Sequence, residues 1–133
     1  MTQPIHSQDV TPQKGPAESF IGDVALQNLA SANNVSVIVY KVTFQKDAHT
    51  NWHTHSQGQV LYFLEGKGRV EIEGQGIIDA AVGDVVEIPP STRHWHGAHP
   101  EEENKMVHLA ITYGDITWME PVADSNYTSA ENS

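Results

Sequence analysis

The sequence Trp52-His53-Thr54-His55-Ser56-Gln57-Gly58-Gln59 runs directly into the apolar segment Val60-Leu61-Tyr62-Phe63-Leu64. Successive side chains of an extended strand point to opposite faces, so residues two and four apart share a face. If the strand continues to residue 59, His53, His55 and Gln59 all point the same way. Two neutral imidazoles on one strand face are close enough to chelate a single divalent ion. The pattern therefore predicts a metal site.

A second histidine pair strengthens this prediction. His94-Trp95-His96 repeats the histidine-x-histidine spacing and could supply a third imidazole. Two such pairs among only eight histidines, each leading into a strand-like run, favour a metal site over polar residues on a wet strand face. Since the chain has no cysteine, any metal must take nitrogen and oxygen ligands.

The rest of the chain has the pattern of short strands. Residues 35–44, 69–73, 85–88 and 106–113 are rich in β-branched and aromatic residues, and glycine or proline turns separate them. We expect residues 60–64 to be buried on both faces, because that run is continuously apolar. No segment has a convincing helical period. Short strands at close spacing predict an all-β sandwich or barrel.

Length and composition predict one domain. We place it at residues 19–122, between a flexible polar arm at 1–18 and a polar tail at 123–133. The arm could become ordered where it crosses a partner subunit.

Charge and hydropathy exclude some classes of partner. Seventeen acidic against seven basic residues give a net charge of −10, which argues against binding to nucleic acid or to an anionic membrane. There is no apolar run of bilayer-spanning length and no signal-peptide core among the first residues, so we expect a cytoplasmic protein.

Two motifs resemble those of the cupins, which are small double-stranded β-helix (jelly-roll) barrels. The first cupin motif has the spacing glycine, histidine-x-histidine, glutamate, glycine, and the second has glycine, proline-x-glycine, histidine, asparagine. This sequence matches the spacing of both motifs at every position. Its four departures are Asp47 and Ser91 in place of turn glycines, Ala98 in place of asparagine and Gln59 in place of the metal-binding glutamate.

A narrower resemblance covers roughly residues 15–122. Short blocks are similar to the bacterial cupin hydroxynitrile lyases, which are manganese-dependent and cleave cyanohydrins such as mandelonitrile to an aldehyde and hydrogen cyanide. Those blocks are residues 15–17, 52–55, 58–59, 83–86, 94–98, 108–111 and 118–120.

The resemblance implies a site. The ligands of one divalent ion per chain would be His53, His55, Gln59 and His94, with manganese favoured and iron, nickel or zinc also compatible with these donors. The same resemblance implies that His108 is the general base. Because all four ligands are uncharged, the ion would keep its double positive charge and would favour an anion at its open position.

Strand alternation suggests further residues of the substrate pocket. His108 shares a face with Ala110 and Thr112, and Tyr40 shares one with Val42. His96 should face the same side as His94, as a pocket residue or behind the ligands. We therefore expect a pocket for a small molecule near Tyr40, Val42, His96 and Thr112. In contrast, Trp95 and Trp118 are more typical of packing or subunit contacts, and His6 and His99 of solvated positions.

Three classes of function remain open. The same residues would serve a cyanohydrin lyase, an isomerase or dioxygenase acting on a small hydroxy or keto compound, or a non-catalytic metal-bearing binding module. We expect a homo-oligomer, a dimer or a tetramer, because of the apolar strands and the polar arm.

Overall fold

The computed structural model of the chain describes residues 3–32 and 35–130. Almost all of its regular structure in the described ranges is β-strand, together with a 3₁₀ turn (Ser7–Asp9) and a short helix α1 (Asp124–Tyr127). The strands are β1 (Gln13–Lys14), β2 (Phe20–Ile21), β3 (Val24–Ala32), β4 (Val37–Phe44), β5 (His49–Thr50), β6 (His53–His55), β7 (Gln59–Glu65), β8 (Gly68–Ile72), β9 (Gly76–Ala80), β10 (Val85–Ile88), β11 (His94–Ala98), β12 (Met106–Tyr113) and β13 (Ile116–Trp118).

The strands form two antiparallel sheets. The six-stranded sheet has the order β1-β3-β4-β12-β7-β10. The seven-stranded sheet contains β13-β6-β11-β5-β2, and β8 joins it by pairing with both β11 and β9. Neighbouring strands in each sheet are often far apart in sequence, as in a jelly roll, and the predicted all-β jelly-roll architecture is confirmed.

The hydrophobic core contains inward-facing side chains of both sheets. Phe44, Leu61, Phe63, Val70 and Met106 are completely buried. These residues come from both sheets: Leu61 and Phe63 lie on β7 of the six-stranded sheet, and Val70 lies on β8 of the seven-stranded sheet. The alternation of strand side chains thus gives the two sheets a shared interior, and the candidate site lies against it.

Residues 60–64 differ from the expectation of burial on both faces. Leu61 and Phe63 are inaccessible, whereas Tyr62 and Leu64 on the opposite face are 40% and 37% exposed. The reason is that β7 lies in the six-stranded sheet with only one face toward the other sheet. Continuous apolar sequence does not distinguish this arrangement from a doubly covered strand.

Both terminal segments contain regular structure. Gln13–Lys14 pairs with β3 of the same chain, which extends the sheet by one edge strand. At the other end, helix α1 carries Tyr127, which is 4% exposed and packs against Trp95. The expected arm and tail are thus partly ordered on their own domain: backbone pairing with β3 and hydrogen bonds from Gln27 hold the arm, and packing of Tyr127 holds the tail.

Two turns keep the geometry of the glycines that the cupin motifs have at these positions. Asp47 and Ser91 have φ values of +65° and +54°, in the left-handed region. Replacement of glycine at these two positions therefore leaves the turn conformation intact. Within residues 3–32 and 35–130, no helix has the length and apolar character needed to cross a bilayer.

Candidate metal centre and adjoining cavity

The two histidine pairs lie on adjacent strands. β6 and β11 pair in the seven-stranded sheet, and His53 is directly opposite His94. His55 and His96 lie two residues further along their strands and therefore share the same face. All four side chains are at most 4% exposed. Strand pairing thus brings together His53, His55, His94 and His96, which we call the imidazole cluster.

The rings of this cluster are close enough to share one ion. The ring centroid of His53 lies 4.2 Å from that of His94 and 4.9 Å from that of His55. His96 is 5.2 Å from His53 by the same measure. One nitrogen from each of His53, His94 and His96 lies within 4.8 Å of the other two, so this three-histidine group could hold a metal ion.

Backbone carbonyls orient two of the imidazoles. Nδ1 of His53 lies 2.9 Å from the carbonyl oxygen of Asn51, and Nδ1 of His94 lies 2.9 Å from that of Thr92. Because a carbonyl oxygen can only accept, each Nδ1 carries the proton and donates. In the neutral rings, Nε2 therefore keeps a lone pair, as a metal ligand requires.

Unsatisfied nitrogens mark the same place. Both ring nitrogens of His55, and Nε2 of His96, are buried without a hydrogen-bond partner in the described part of the chain. Buried polar atoms in native proteins are almost always paired with protein, water or a ligand. Imidazole nitrogens, together with the amide oxygen predicted from Gln59, also suit a divalent transition metal. These residues therefore fit the ion that the sequence predicts.

Burial keeps the cluster uncharged. Desolvation, with a smaller contribution from His94, lowers the pKa of His55 to about 3. Desolvation also lowers the pKa of His94 to about 4, although the carbonyl of Thr92 opposes the shift. Desolvation also holds the pKa of His53 well below its ordinary value, and repulsion from His94 and His55 lowers that pKa further. At neutral pH the rings are thus unprotonated and able to bind a cation.

Gln59 joins the cluster from the other sheet. The structure corrects the expectation of one regular strand from residue 53 to residue 59, because β6 ends at His55 and a turn leads into β7. Gly58 in that turn has φ +92°, and a Cβ there would approach the carbonyl oxygen of Ile88 to 2.8 Å. Despite the turn, Oε1 of Gln59 lies 3.0 Å from Nε2 of His94. The chain reversal between sheets, rather than strand alternation, places the amide there.

His108 lies behind His96. Its Nε2 is 3.0 Å from Nδ1 of His96, and its ring is fully buried between Phe44 and Phe63, with centroids 5.1 and 5.5 Å away. Desolvation lowers the pKa of His108 to about 4. The residue predicted as the base is therefore joined to the cluster through His96.

A cavity of about 290 Å³ adjoins the imidazole cluster. The four residues expected to form a pocket, Tyr40, Val42, His96 and Thr112, all line it. His94 and His108 are not among its lining residues. No Asp, Glu, Lys or Arg of the described chain lines it, and most of the wall is apolar. The cavity is thus suited to a small, uncharged, largely apolar molecule.

Sequence reasoning missed several residues of the cavity wall. Trp118, expected to have a packing role, lines the cavity with its ring 4.6 Å from that of His53 and 5.4 Å from that of Phe20. Phe20, Leu26 and Ile38 also line it. Of these residues, only Ile38 could have been predicted from the sequence, because the alternation of β4 places it on the same face as Tyr40 and Val42. Trp95 does pack as expected, fully buried against Tyr127.

The structure corrects the expectation that His99 is solvated. This residue is 3% exposed, and its Nε2 lies 3.1 Å from Oδ2 of Asp79. Arg69, opposite Asp79 in the β8–β9 pair, donates from Nε to the same carboxylate at 2.8 Å. Such a buried ionic cluster forms only when three strands are adjacent, so the sequence around His99 gave no sign of it. His6 is exposed as expected.

Comparison with known proteins assigns the family. The cupin domain profile matches residues 40–112, more than half of the chain. This chain is a cupin. It is 40% identical over 119 residues to the (R)-mandelonitrile lyase of Granulicella tundricola, covering 86% of this cupin and 89% of that enzyme.

Two further relatives define the range of similarity. A cupin-like protein of Thermotoga maritima has a solved structure that superposes on this cupin with a TM-score of 0.80 at 38% identity, covering 86% and 89% of the two chains. The acireductone dioxygenase of Picosynechococcus is 30% identical over 61 residues, 43% of this cupin and 35% of that enzyme. The two curated relatives described here are thus named as a lyase and a dioxygenase.

Proposed function

We propose that this cupin is a metal-dependent lyase that cleaves or forms aromatic cyanohydrins, interconverting mandelonitrile with benzaldehyde and hydrogen cyanide. The observation that carries the proposal is the uncharged, mostly apolar cavity ending at unpaired imidazole nitrogens. The 40% identity with an (R)-mandelonitrile lyase along most of both chains supports the same activity.

We propose that His53, His55, Gln59 and His94 hold one divalent ion per chain, with manganese favoured by the family resemblance. When bound, the ion would supply a positive charge for the anion that develops as the substrate reacts. His96 is a fifth candidate, because one of its nitrogens falls within the three-histidine group. The family resemblance puts the other four residues at the ion, so we assign His96, which lines the cavity and contacts His108, to the substrate side rather than to the ligand set.

The substrate would lie with its ring against the apolar wall. Phe20 and Trp118 offer aromatic surface, and Tyr40 and Val42 lie on β4 across the cavity. Because no lysine or arginine of the described residues lines the cavity, a carboxylate away from the proposed ion would lack a partner there. This favours a neutral cyanohydrin over the sugar acid of an isomerase.

The proton would leave through His96 and His108. In the cleavage direction, the substrate hydroxyl loses its proton, the aldehyde C=O forms as the bond to the nitrile carbon breaks, and that electron pair leaves with cyanide. The proton then passes to cyanide, which gives hydrogen cyanide. We propose that His108 is the base that drives this transfer and that His96, which lines the cavity, connects it to the substrate. A positioned base contributes on the order of 10²–10⁴-fold to such a step.

Cyanide release tests the proposal directly. Manganese-loaded protein and a metal-stripped control are incubated with mandelonitrile at mildly acidic pH, where spontaneous decomposition is slow, and cyanide is quantified. Release well above the control supports the lyase. Equal release would exclude it, and the loaded protein would then be assayed for oxygen consumption with an acireductone, because the similarity to acireductone dioxygenases makes dioxygenase activity the second candidate.

We also propose that copies of the chain associate through the outer face of the six-stranded sheet. Tyr62 and Val85 are direct cross-strand neighbours there, 40% and 58% exposed, and Leu64 lies two residues along from Tyr62. Adjacent exposed apolar side chains are typical of interaction surfaces. Analytical ultracentrifugation of wild type and Tyr62→Lys tests this: an oligomer that dissociates in the variant supports the assignment, and a monomeric wild type contradicts it.

A further inference from the structure

The amide of Gln59 has one partner on each side. Its Oε1 lies 3.0 Å from Nε2 of His94, and its Nε2 donates to the hydroxyl of Thr112 at 3.1 Å. Gln59 and Thr112 are direct cross-strand partners in the β7–β12 pair. The side chains of such partners are neighbours on one face of a sheet, so this contact follows from the register itself.

The contact between Gln59 and His94 brings two acceptors together. Nδ1 of His94 donates to the carbonyl of Thr92, so Nε2 of the neutral ring carries a lone pair that faces the amide oxygen. These two lone pairs repel each other. A cation bound by both atoms removes this repulsion. Without a cation, a half-turn of the amide would remove it as well, by directing the NH₂ group to His94.

The metal therefore needs one of two amide orientations. Only the orientation with Oε1 toward His94 offers oxygen to the cation, and in that orientation the NH₂ group must find an acceptor elsewhere. The hydroxyl of Thr112 is that acceptor. A buried NH₂ group left unpaired is costly, and without this acceptor that cost would weaken the metal-binding orientation.

We propose that Thr112 is a positioning residue for the metal: its hydroxyl holds the NH₂ group of Gln59 and so directs the amide oxygen to the ion. This inference rests on the proposed metal site and extends it to a residue outside the ligand set. Loss of a hydrogen bond that orients a ligand typically reduces metal affinity 10–100-fold. A glutamate at position 59 would have oxygens at both ends and would not need such an acceptor.

Calorimetric titration of Mn²⁺ into metal-stripped, full-length protein tests the role of Thr112. Thr112→Val keeps the shape of the side chain but removes the hydroxyl, and we expect it to bind Mn²⁺ 10–100-fold more weakly than wild type. Thr112→Ser keeps the hydroxyl, and we expect an affinity within about threefold of wild type. Thermal unfolding of the metal-free proteins shows whether Thr112→Val is folded.

The outcomes separate the two proposals. If wild type binds no Mn²⁺, the metal site itself fails. If wild type binds Mn²⁺ and Thr112→Val binds it equally well, only the role of Thr112 is overturned. If Thr112→Ser is weakened as much as Thr112→Val, the hydroxyl is not responsible and the positioning role is likewise overturned.

Discussion

Nε2 of His108 lies 3.0 Å from Nδ1 of His96, and the two rings are buried together. Two neutral imidazoles can share this hydrogen bond only if one donates and the other accepts. When His96 donates from Nδ1, its Nε2 carries a lone pair toward the imidazole cluster and the cavity. When His96 accepts, its Nε2 carries a proton there instead. The tautomer of His108 therefore decides whether His96 presents a base or a proton donor to the site.

This relationship predicts that both histidines are needed for activity but not for metal binding. His108→Ala and His96→Ala should each lower kcat on mandelonitrile by about 10²-fold or more, since either change interrupts the proton path. Manganese content, measured by elemental analysis, should stay near one ion per chain in both. A loss of manganese in His96→Ala would make His96 a ligand, and full activity in His108→Ala would remove it from the mechanism.

The proposed ligand set predicts a different result for the remaining histidines of the cluster. The double variant His53→Ala/His94→Ala should contain no manganese, and His55→Ala should bind it at least about tenfold more weakly, because each removes nitrogen donors from the ion. His99→Ala is the matched control, because His99 is equally buried but belongs to the Asp79–Arg69 cluster. Undiminished metal in the double variant would contradict the assignment.

The charge of the ligand at position 59 gives a third prediction. Gln59→Glu should retain manganese but lose most lyase activity, because a carboxylate cancels one unit of the positive charge that stabilises a bound anion. Kinetics of the metal-loaded variant and wild type on the same substrate decide the point. Equal rates would show that the neutrality of this ligand does not matter for the reaction.

Burial of the histidines predicts how stability of the metal-free protein depends on pH. In the unfolded chain these rings have pKa values near 6.5, whereas the folded protein lowers the pKa to about 4 in His94 and His108 and to about 3 in His55. Between about pH 6.5 and 4 the unfolded state therefore binds more protons than the folded state. The stability that is fully present above pH 6.5 should be lost as the pH falls through this window.

Denaturant unfolding of metal-stripped protein between pH 7.5 and pH 4 measures this loss. One such histidine contributes a slope of up to about 1.4 kcal/mol per pH unit, so the combined effect should be large. His108→Phe, which keeps an aromatic ring but cannot take up a proton, should show a smaller slope than wild type. A free energy of unfolding independent of pH across this window would contradict the burial of neutral histidines.

The sequence alone determined the fold class and predicted the residues of the candidate centre. Short alternating strands and glycine turns admit only a β-sandwich or barrel, and these are local properties of the backbone. The histidine-x-histidine spacing likewise places His53 with His55, and His94 with His96, on one face each, because strand periodicity is fixed at two residues. Tyr40, Val42 and Thr112 were found by the same alternation and line the cavity.

Tertiary structure alone decided which of these side chains contact one another and which of them line the cavity. Gln59 reaches His94 only because the turn at Gly58 carries the chain from one sheet to the other. His108 lies behind His96 rather than at the cavity, since β12 and β11 belong to different sheets that pack face to face. Contacts between sheets depend on how the strands are ordered and stacked, and no periodicity within a single strand contains that information. The burial that lowers the pKa of each histidine has the same origin, because it is a property of the packed barrel rather than of any one segment.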